Sequence, residues 1–398
     1  MKICAKRNAL AALVAWALIL AASASAPAQE GAVPFDSGRW SIVSGQIVDY
    51  LGRKALIGSA YVKDVELKDG VIEVDIAVDG RNAYPSILFR MTEGSNYEHV
   101  YIRPHQLGGP MNAIQYAPSN NGIGGWQLWN GDGYTNSLDM PKNEWVHLRL
   151  EFKGRQARFF VGDDSTPDLV IDDLKREPVE GLIGLMNANA NTAYFSNFSY
   201  RGGETLAFEQ PPAPDAPPGV VADWKVSQSL KLARVDIDRY PDATLCRSLA
   251  WRDVEGDAAG LVDVSRTYGR APGGADVIYA KTVITADRDT VKPFLFGYSD
   301  VVSIFCNGEI LFQGWSEYRR RDPTFQGIVG LYDQIWLPLK KGENELMIAV
   351  AEAFGGWGFM FRDAKAEFHA PSVTELWRTG AEFLVPETAV WDPARKRV

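Results

Sequence analysis

Val146-His147-Leu148-Arg149-Leu150-Glu151-Phe152 alternates apolar and polar residues without a break. A period of two places every apolar side chain on one face of an extended segment, because successive Cβ atoms of a strand point to opposite sides. Ile72-Glu73-Val74-Asp75-Ile76-Ala77-Val78 repeats the pattern, with its even positions apolar. Strands of this kind bury one face and wet the other, as antiparallel sandwiches require. Many such short segments follow one another, punctuated by Gly, Asn, Asp and Pro, with no internal repeat and no long amphipathic helix after the first residues. The expected fold class is therefore all-β, with two consecutive antiparallel β-sandwich domains after a cleaved signal peptide.

The boundaries come from departures from that alternation. Lys2, Lys6 and Arg7 precede an uncharged apolar run from Ala9 to Ala22, and Ala22-Ser23-Ala24-Ser25-Ala26 follows. That order marks a secretory signal peptide over residues 1–28, with cleavage after Ala26 or Ala28. The alternative is a retained anchor, but the run falls short of the roughly 20 residues a span needs. Pro211, Pro212, Pro214, Pro217 and Pro218 mark a linker at 203–219, since proline cannot donate to a sheet ladder and holds the chain extended. One sandwich is expected at 31–202 and another at 220–371, folding independently, with a tail at 372–398 too short for a domain. The chain is expected in the periplasm or secreted, with no membrane span once the signal is removed.

The formal net charge is −9, and losing the three basic residues of the signal takes it to −12. Acidic surface argues against nucleic acid and anionic lipid as partners. Cys246 and Cys306 are the mature cysteines. An exported protein permits a bridge between them, and two separate buried thiols are the other reading. His99, His105, His147 and His369 are scattered, without the clustering of a metal site. In the second sandwich two apolar runs flank Asn307-Gly308, a hairpin signal because both turn positions take positive φ.

Trp145-Val146-His147-Leu148, Gly181-Leu182-Ile183-Gly184-Leu185 and Tyr194-Phe195-Ser196-Asn197-Phe198 occur in that order. In this the first domain resembles the concanavalin A-like lectin/glucanase superfamily, which includes laminin G modules, and the resemblance implies a jelly-roll sandwich. Its glucanases carry paired acids in an E-x-D-x-x-E strand. Here Glu73 and Asp75 match, but Val78 stands in the last position and can neither give nor take a proton. Ile304-Phe305-Cys306-Asn307-Gly308-Glu309, Leu337-Pro338-Leu339-Lys340-Lys341-Gly342-Glu343-Asn344 and Ala351-Glu352-Ala353-Phe354-Gly355-Gly356-Trp357 resemble the galactose-binding-like jelly roll found as an accessory module of glycoside hydrolases. That resemblance implies a module that binds sugar or packs on a catalytic domain. Val385-Pro386-Glu387-Thr388 and Asp392-Pro393 resemble the opening of a gluconolactonase-type β-propeller, in which the matching Glu is a metal ligand.

Sugars are held by aromatic faces over their C–H surfaces and by amides, carboxylates and arginines at their hydroxyls. Residues 97–134 have that composition, and Tyr101, Arg103, Tyr116, Trp126 and Trp129 are the expected carbohydrate-binding residues there. The alternative reading makes Trp126 and Trp129 ordinary sandwich core. Trp315 and Arg320, beside Arg319 and Arg321, are the candidates in the second domain. Asn130-Gly131-Asp132-Gly133 reads as a turn or as a structural calcium loop; no other metal or cofactor is expected. No nucleophile-elbow, zincin, P-loop or dinucleotide fingerprint is present, so no catalytic residue is assigned. The expected function is an exported, non-catalytic carbohydrate-binding or scaffold protein that engages a glycoconjugate or another exported protein. The alternative is a glycoside or sugar-lactone hydrolase, part of a truncated multidomain enzyme.

Overall fold

The computed structural model describes residues 31–365, apart from 110–111, 163–164, 189–191, 213–214, 271 and 273–274. The expected signal peptide and tail, Glu387 included, lie outside the described residues. The chain is nearly all β, as the alternation requires. Among the described residues no helix is long and apolar enough to cross a membrane.

The strands between residues 31 and 202 form one continuous antiparallel sheet folded on itself. Its back layer runs Leu169–Ile171, Gln156–Val161, Val146–Lys153, Gly70–Val78, Ala193–Gly202. Its front layer runs Leu182–Met186, Ser86–Glu93, Asn96–Ile102, Ile114–Asn120. The long strand Arg53–Glu66 joins the two. It pairs with the back layer at Leu56 and with the front layer between Ala60 and Glu66. Val146–Lys153 alternates strictly between buried and half-buried residues, so the period-two reading holds position by position. The apolar faces meet in a core that includes Phe89, Phe152, Phe159 and Phe195.

The second sandwich packs a seven-stranded sheet on a four-stranded one. Strands Asp276–Ala286 and Gly342–Glu352 are central to the first, and Gly358–Asp363 and Thr290–Tyr298 to the second. Trp224, Phe296, Trp357 and Phe361 fill the space between them. Asn307 and Gly308 both have positive φ, +51° and +86°, where Cys306 pairs with Glu309. Cys306 is buried in this sandwich, Cys246 is half-buried, and both are free thiols.

The start of the proline-rich stretch lies along the back layer of the first sandwich. The Lys153 ammonium donates to the Leu206 carbonyl (2.8 Å), the Gln156 amide donates to the Glu209 carbonyl (2.8 Å), and Arg158 covers the Phe208 ring.

The two sandwiches share an interface, a feature that independent folding did not anticipate. Ile123, from the turn after Ile114–Asn120, is buried in the second sandwich's core. Gln127 is fully buried: its N–H donates to Gly355 (3.0 Å), its carbonyl accepts from Val329 (2.9 Å), and its side-chain amide donates to Gln326 (2.8 Å). Gly327 and Gly355 have positive φ, and a Cβ on either would overlap the Gln127 side chain. Leu128 and Trp129 pack with Leu261 and Val329 of the second sandwich.

Candidate functional site

Because side chains alternate along Asn96–Ile102, Tyr97, His99 and Tyr101 share the outer side of the front layer, while Val100 and Ile102 face the core. The register sets His99 beside Leu88 and Ala117, and Tyr101 beside Ser86 and Gln115. This polar-aromatic face would be wet in an isolated sandwich. Here loops of the second sandwich cover part of it and leave a cleft of about 620 Å³. The volume lies in the range that encloses a small ligand. Ser86, His99, Tyr101, Ala117 and Met186 form the floor, Tyr84, Arg103 and His105 one end, and Trp126, Tyr318, Arg319 and Phe354 the second-sandwich side.

The floor is held by a buried network centred on Gln115, which is fully buried. Its side-chain amide donates to the carbonyls of Trp126 (2.8 Å) and Trp129 (2.7 Å), fixing the loop that carries both tryptophans. Its oxygen accepts from the Tyr101 hydroxyl (2.7 Å) and from the Arg103 guanidinium. Arg103 also donates to the Tyr101 hydroxyl (2.8 Å) and to the Asn112 carbonyl (2.8 Å). Side chains tied down in this way lose little freedom when a ligand arrives, which favours binding.

Burial keeps the floor in one protonation state. It pushes His99 down to about 3, with the Arg103 charge as the second cause, and pushes the Tyr101 hydroxyl up to about 12. His105 is lowered by burial and then by Arg103. The His99 ring stacks on Tyr101 at 4.9 Å between centroids, with its Nδ1 3.2 Å from the Ser86 hydroxyl.

On the opposite side stand three rings from three segments. Trp126 meets Phe354 edge-on at 5.8 Å and Tyr318 at 6.3 Å, and Tyr318 meets Phe354 at 6.3 Å. Tyr318 and Phe354 are exposed apart from these contacts, offering apolar ring surface at the mouth.

Of the residues expected to bind, Tyr101, Arg103 and Trp126 come together in this cleft. Tyr116 and Trp129 do not reach it. Tyr116 has the opposite parity to Gln115, so it points into the core, where its hydroxyl donates to Glu98 (2.6 Å) and accepts from the Lys175 N–H (2.7 Å). Trp129 is 4% exposed, packed at the inter-sandwich contact with the Lys175 ammonium 4.1 Å from its ring. Trp315 and Arg320 stack on each other outside the cleft, while their neighbours Tyr318 and Arg319 line it. Arg319 has a positive φ of +61°, a backbone state held by its N–H to the Phe325 carbonyl (2.7 Å), which turns this part of the run. Arg321 pairs with Asp333. The sequence does not single out Tyr84, Ser86, Met186 or Phe354 as binding residues; Phe354 enters only within the stretch that resembles the galactose-binding-like jelly roll.

Glu73 and Asp75 sit on the outer side of the back layer, away from the cleft. Asp75 accepts from Arg53 (2.5 Å) and Asn197 (2.7 Å) and lies 2.8 Å from His147 Nδ1, with Glu73 3.7 Å from the same ring. The acids are thus engaged in a partly solvated ion-pair cluster. No Asp or Glu is among the described residues that line the cleft. The Asn130–Gly133 segment closes as a turn in which the Gly131 carbonyl accepts from the N–H groups of Tyr134 (3.0 Å) and Thr135 (2.8 Å). Among the described residues no three His, Cys, Asp or Glu side chains converge as a metal site would require.

No protein-family model and no curated protein matches the sequence. Solved structures that align include a carbohydrate-binding module from Bacillus subtilis, 19% identical over 42% of this chain and 97% of that one, with a TM-score of 0.32. A protein of unknown function with a galectin-like fold from the same organism is 12% identical over 44% and 97%, also at 0.32. A β-glucanase from Bacillus licheniformis is 13% identical over 43% and 96%, again at 0.32. Likenesses this low leave the function to be argued from the cleft itself.

Proposed function

We propose that this is an exported carbohydrate-recognition protein that holds a glycan in the cleft between its two sandwiches, without cleaving it. The observation that carries the reading is the pairing of a fixed polar floor with an aromatic mouth. Tyr101, His99, Ser86 and Arg103 supply donors and acceptors for hydroxyls, and Trp126, Tyr318 and Phe354 supply ring faces for C–H surfaces. Binding without cleavage is favoured because the described residues of the lining offer no carboxyl pair, and Glu73 and Asp75 are committed elsewhere. Export follows from the signal-like first 28 residues.

Trp126→Ala tests it directly. Removing the ring at the centre of the mouth is expected to weaken glycan retention on an array about 30-fold, the effect of losing a ~2 kcal/mol hot spot. The melting temperature should stay within a few degrees of wild type. Undiminished retention by the variant, or release of reducing sugar by the purified wild-type chain, would sink the reading.

A further inference from the structure

We infer that the glycan is acidic: the cleft is built for a saccharide carrying a carboxylate or a sulfate. The inference rests on the carbohydrate reading above and narrows its ligand. Its main observation is Arg103, which is 7% exposed. A guanidinium does not lose its charge in a protein, and burying one is costly unless an opposite charge accompanies it. Yet the groups that Arg103 touches are all neutral: the Tyr101 hydroxyl, the Gln115 oxygen and the Asn112 carbonyl. Among the described residues no carboxylate comes within ion-pair distance of it.

Arg176 and Arg39, both half-buried, are likewise met by neutral groups, but neither lines the cleft, and four other buried or half-buried cations show the contrast. Arg90 is met by Glu98 and Asp69, Lys175 by Asp173, Arg270 by Glu352 and Arg321 by Asp333. In this acidic chain, with 50 Asp and Glu against 41 Lys and Arg, the described cleft lining holds two arginines and no acid.

The second arginine is Arg319. It comes from the second sandwich, on the strained backbone already described, and its guanidinium carbon lies 5.0 Å from the Tyr318 ring. It too has no carboxylate partner among the described residues. The nearby His99 stays neutral through burial and the Arg103 field, so it neither adds charge nor supplies the missing anion. Two fixed positive charges, one from each sandwich, therefore face a cleft whose own residues do not balance them. An anionic substituent on the sugar completes the site, with Arg103 as the buried anchor and Arg319 as the exposed clamp.

The test is an array of the full chain against neutral glycans, uronate- and sialate-bearing glycans, their carboxyl-reduced counterparts and sulfated neutral glycans. Titration calorimetry then follows on the best ligand. Acidic glycans should bind at least tenfold more tightly than neutral ones, with the advantage shrinking as salt is raised. Loss of binding on carboxyl reduction would identify a carboxylate; preference for the sulfated set would identify a sulfate. Arg319→Gln should cut acidic-glycan affinity about tenfold, while Arg319→Lys keeps part of it. Because Arg319 is exposed, the variant's fold is checked by an unchanged melting temperature. Acidic glycans that bind no more tightly than neutral and carboxyl-reduced ones overturn the acidic assignment and leave the carbohydrate reading in place. Retention of no glycan of either kind overturns both.

Discussion

The two sandwiches contribute to the cleft in different physical states. The first supplies a floor that is buried and hydrogen-bonded before any ligand arrives: Gln115 is fully buried, and Arg103 and Tyr101 are locked to it. The second supplies Tyr318, Arg319 and Phe354, which stand exposed at the ends of loops. One side is fixed by buried hydrogen bonds, and the other presents exposed side chains. The difference shows why neither sandwich alone makes the site. The floor without its cover is an open wet face, and the loops without Trp126 have no ring to close against.

Trp129→Ala should perturb the molecule most. Trp129 lies under the floor at the contact between sandwiches. Its truncation is expected to cost about 3–5 kcal/mol of stability, the usual range for a buried Trp, measured by denaturant unfolding. A stable Trp129→Ala protein that fails to bind glycan would put this ring in the site and undo the division between a buried floor and an exposed cover.

Gly355→Ala is a smaller perturbation that acts on the join. At a φ of +97° and pressed against Gln127, an added methyl has no room. The strain, about 1–3 kcal/mol, should appear as weaker glycan binding, with each sandwich keeping its own strand signature in circular dichroism. Gly308→Ala is the control: its φ is also positive, but a Cβ there meets nothing, so it should carry backbone strain with no loss of binding. Equal binding losses in the two would show that the join does not shape the cleft.

The smallest expected effect is on pH dependence, where the sandwiches oppose each other. His99 in the first is held neutral, so the unfolded chain binds its proton more readily; the His99 contribution to stability is lost as pH falls from about 6.5 towards 3. Asp300 and Glu352 in the second are pushed up by burial, with the Glu317 charge adding to it at Asp300 and the Asp300 charge at Glu352. Their contribution is present in acid and is lost as pH rises through the raised values. Melting temperature followed from about pH 3 to pH 8 should therefore lose part of its acid limb in His99→Gln and part of its neutral limb in Asp300→Asn. Unchanged limbs would remove burial as the cause.

The strands were legible because alternation is a local property, and Val146–Lys153 and the Asn307-Gly308 turn follow it. The parity of Ile114–Asn120 was not, because both faces of that strand are buried: one by the core, the other by the second sandwich. With Gln115 and Tyr116 equally hidden, composition does not say which side chain meets a ligand. The same cover separates Trp126 from Trp129, three residues apart in one loop. In the arginine run, one left-handed residue decides that Arg319 and not Arg320 enters the cleft. Such information lies in tertiary contact and backbone torsion, which no count of residue types contains.

Gln127 has a consequence for how such a chain can diverge. Its side chain occupies the space that Cβ atoms at 327 and 355 would need, so both positions are confined to glycine for as long as 127 keeps a long amide. A shorter residue at 127 would release them from the clash, though not from their positive φ. Substitutions on one side of the join are therefore conditional on the other. In a set of descendants, 127, 327 and 355 should form a covarying trio that links two otherwise separate sandwiches.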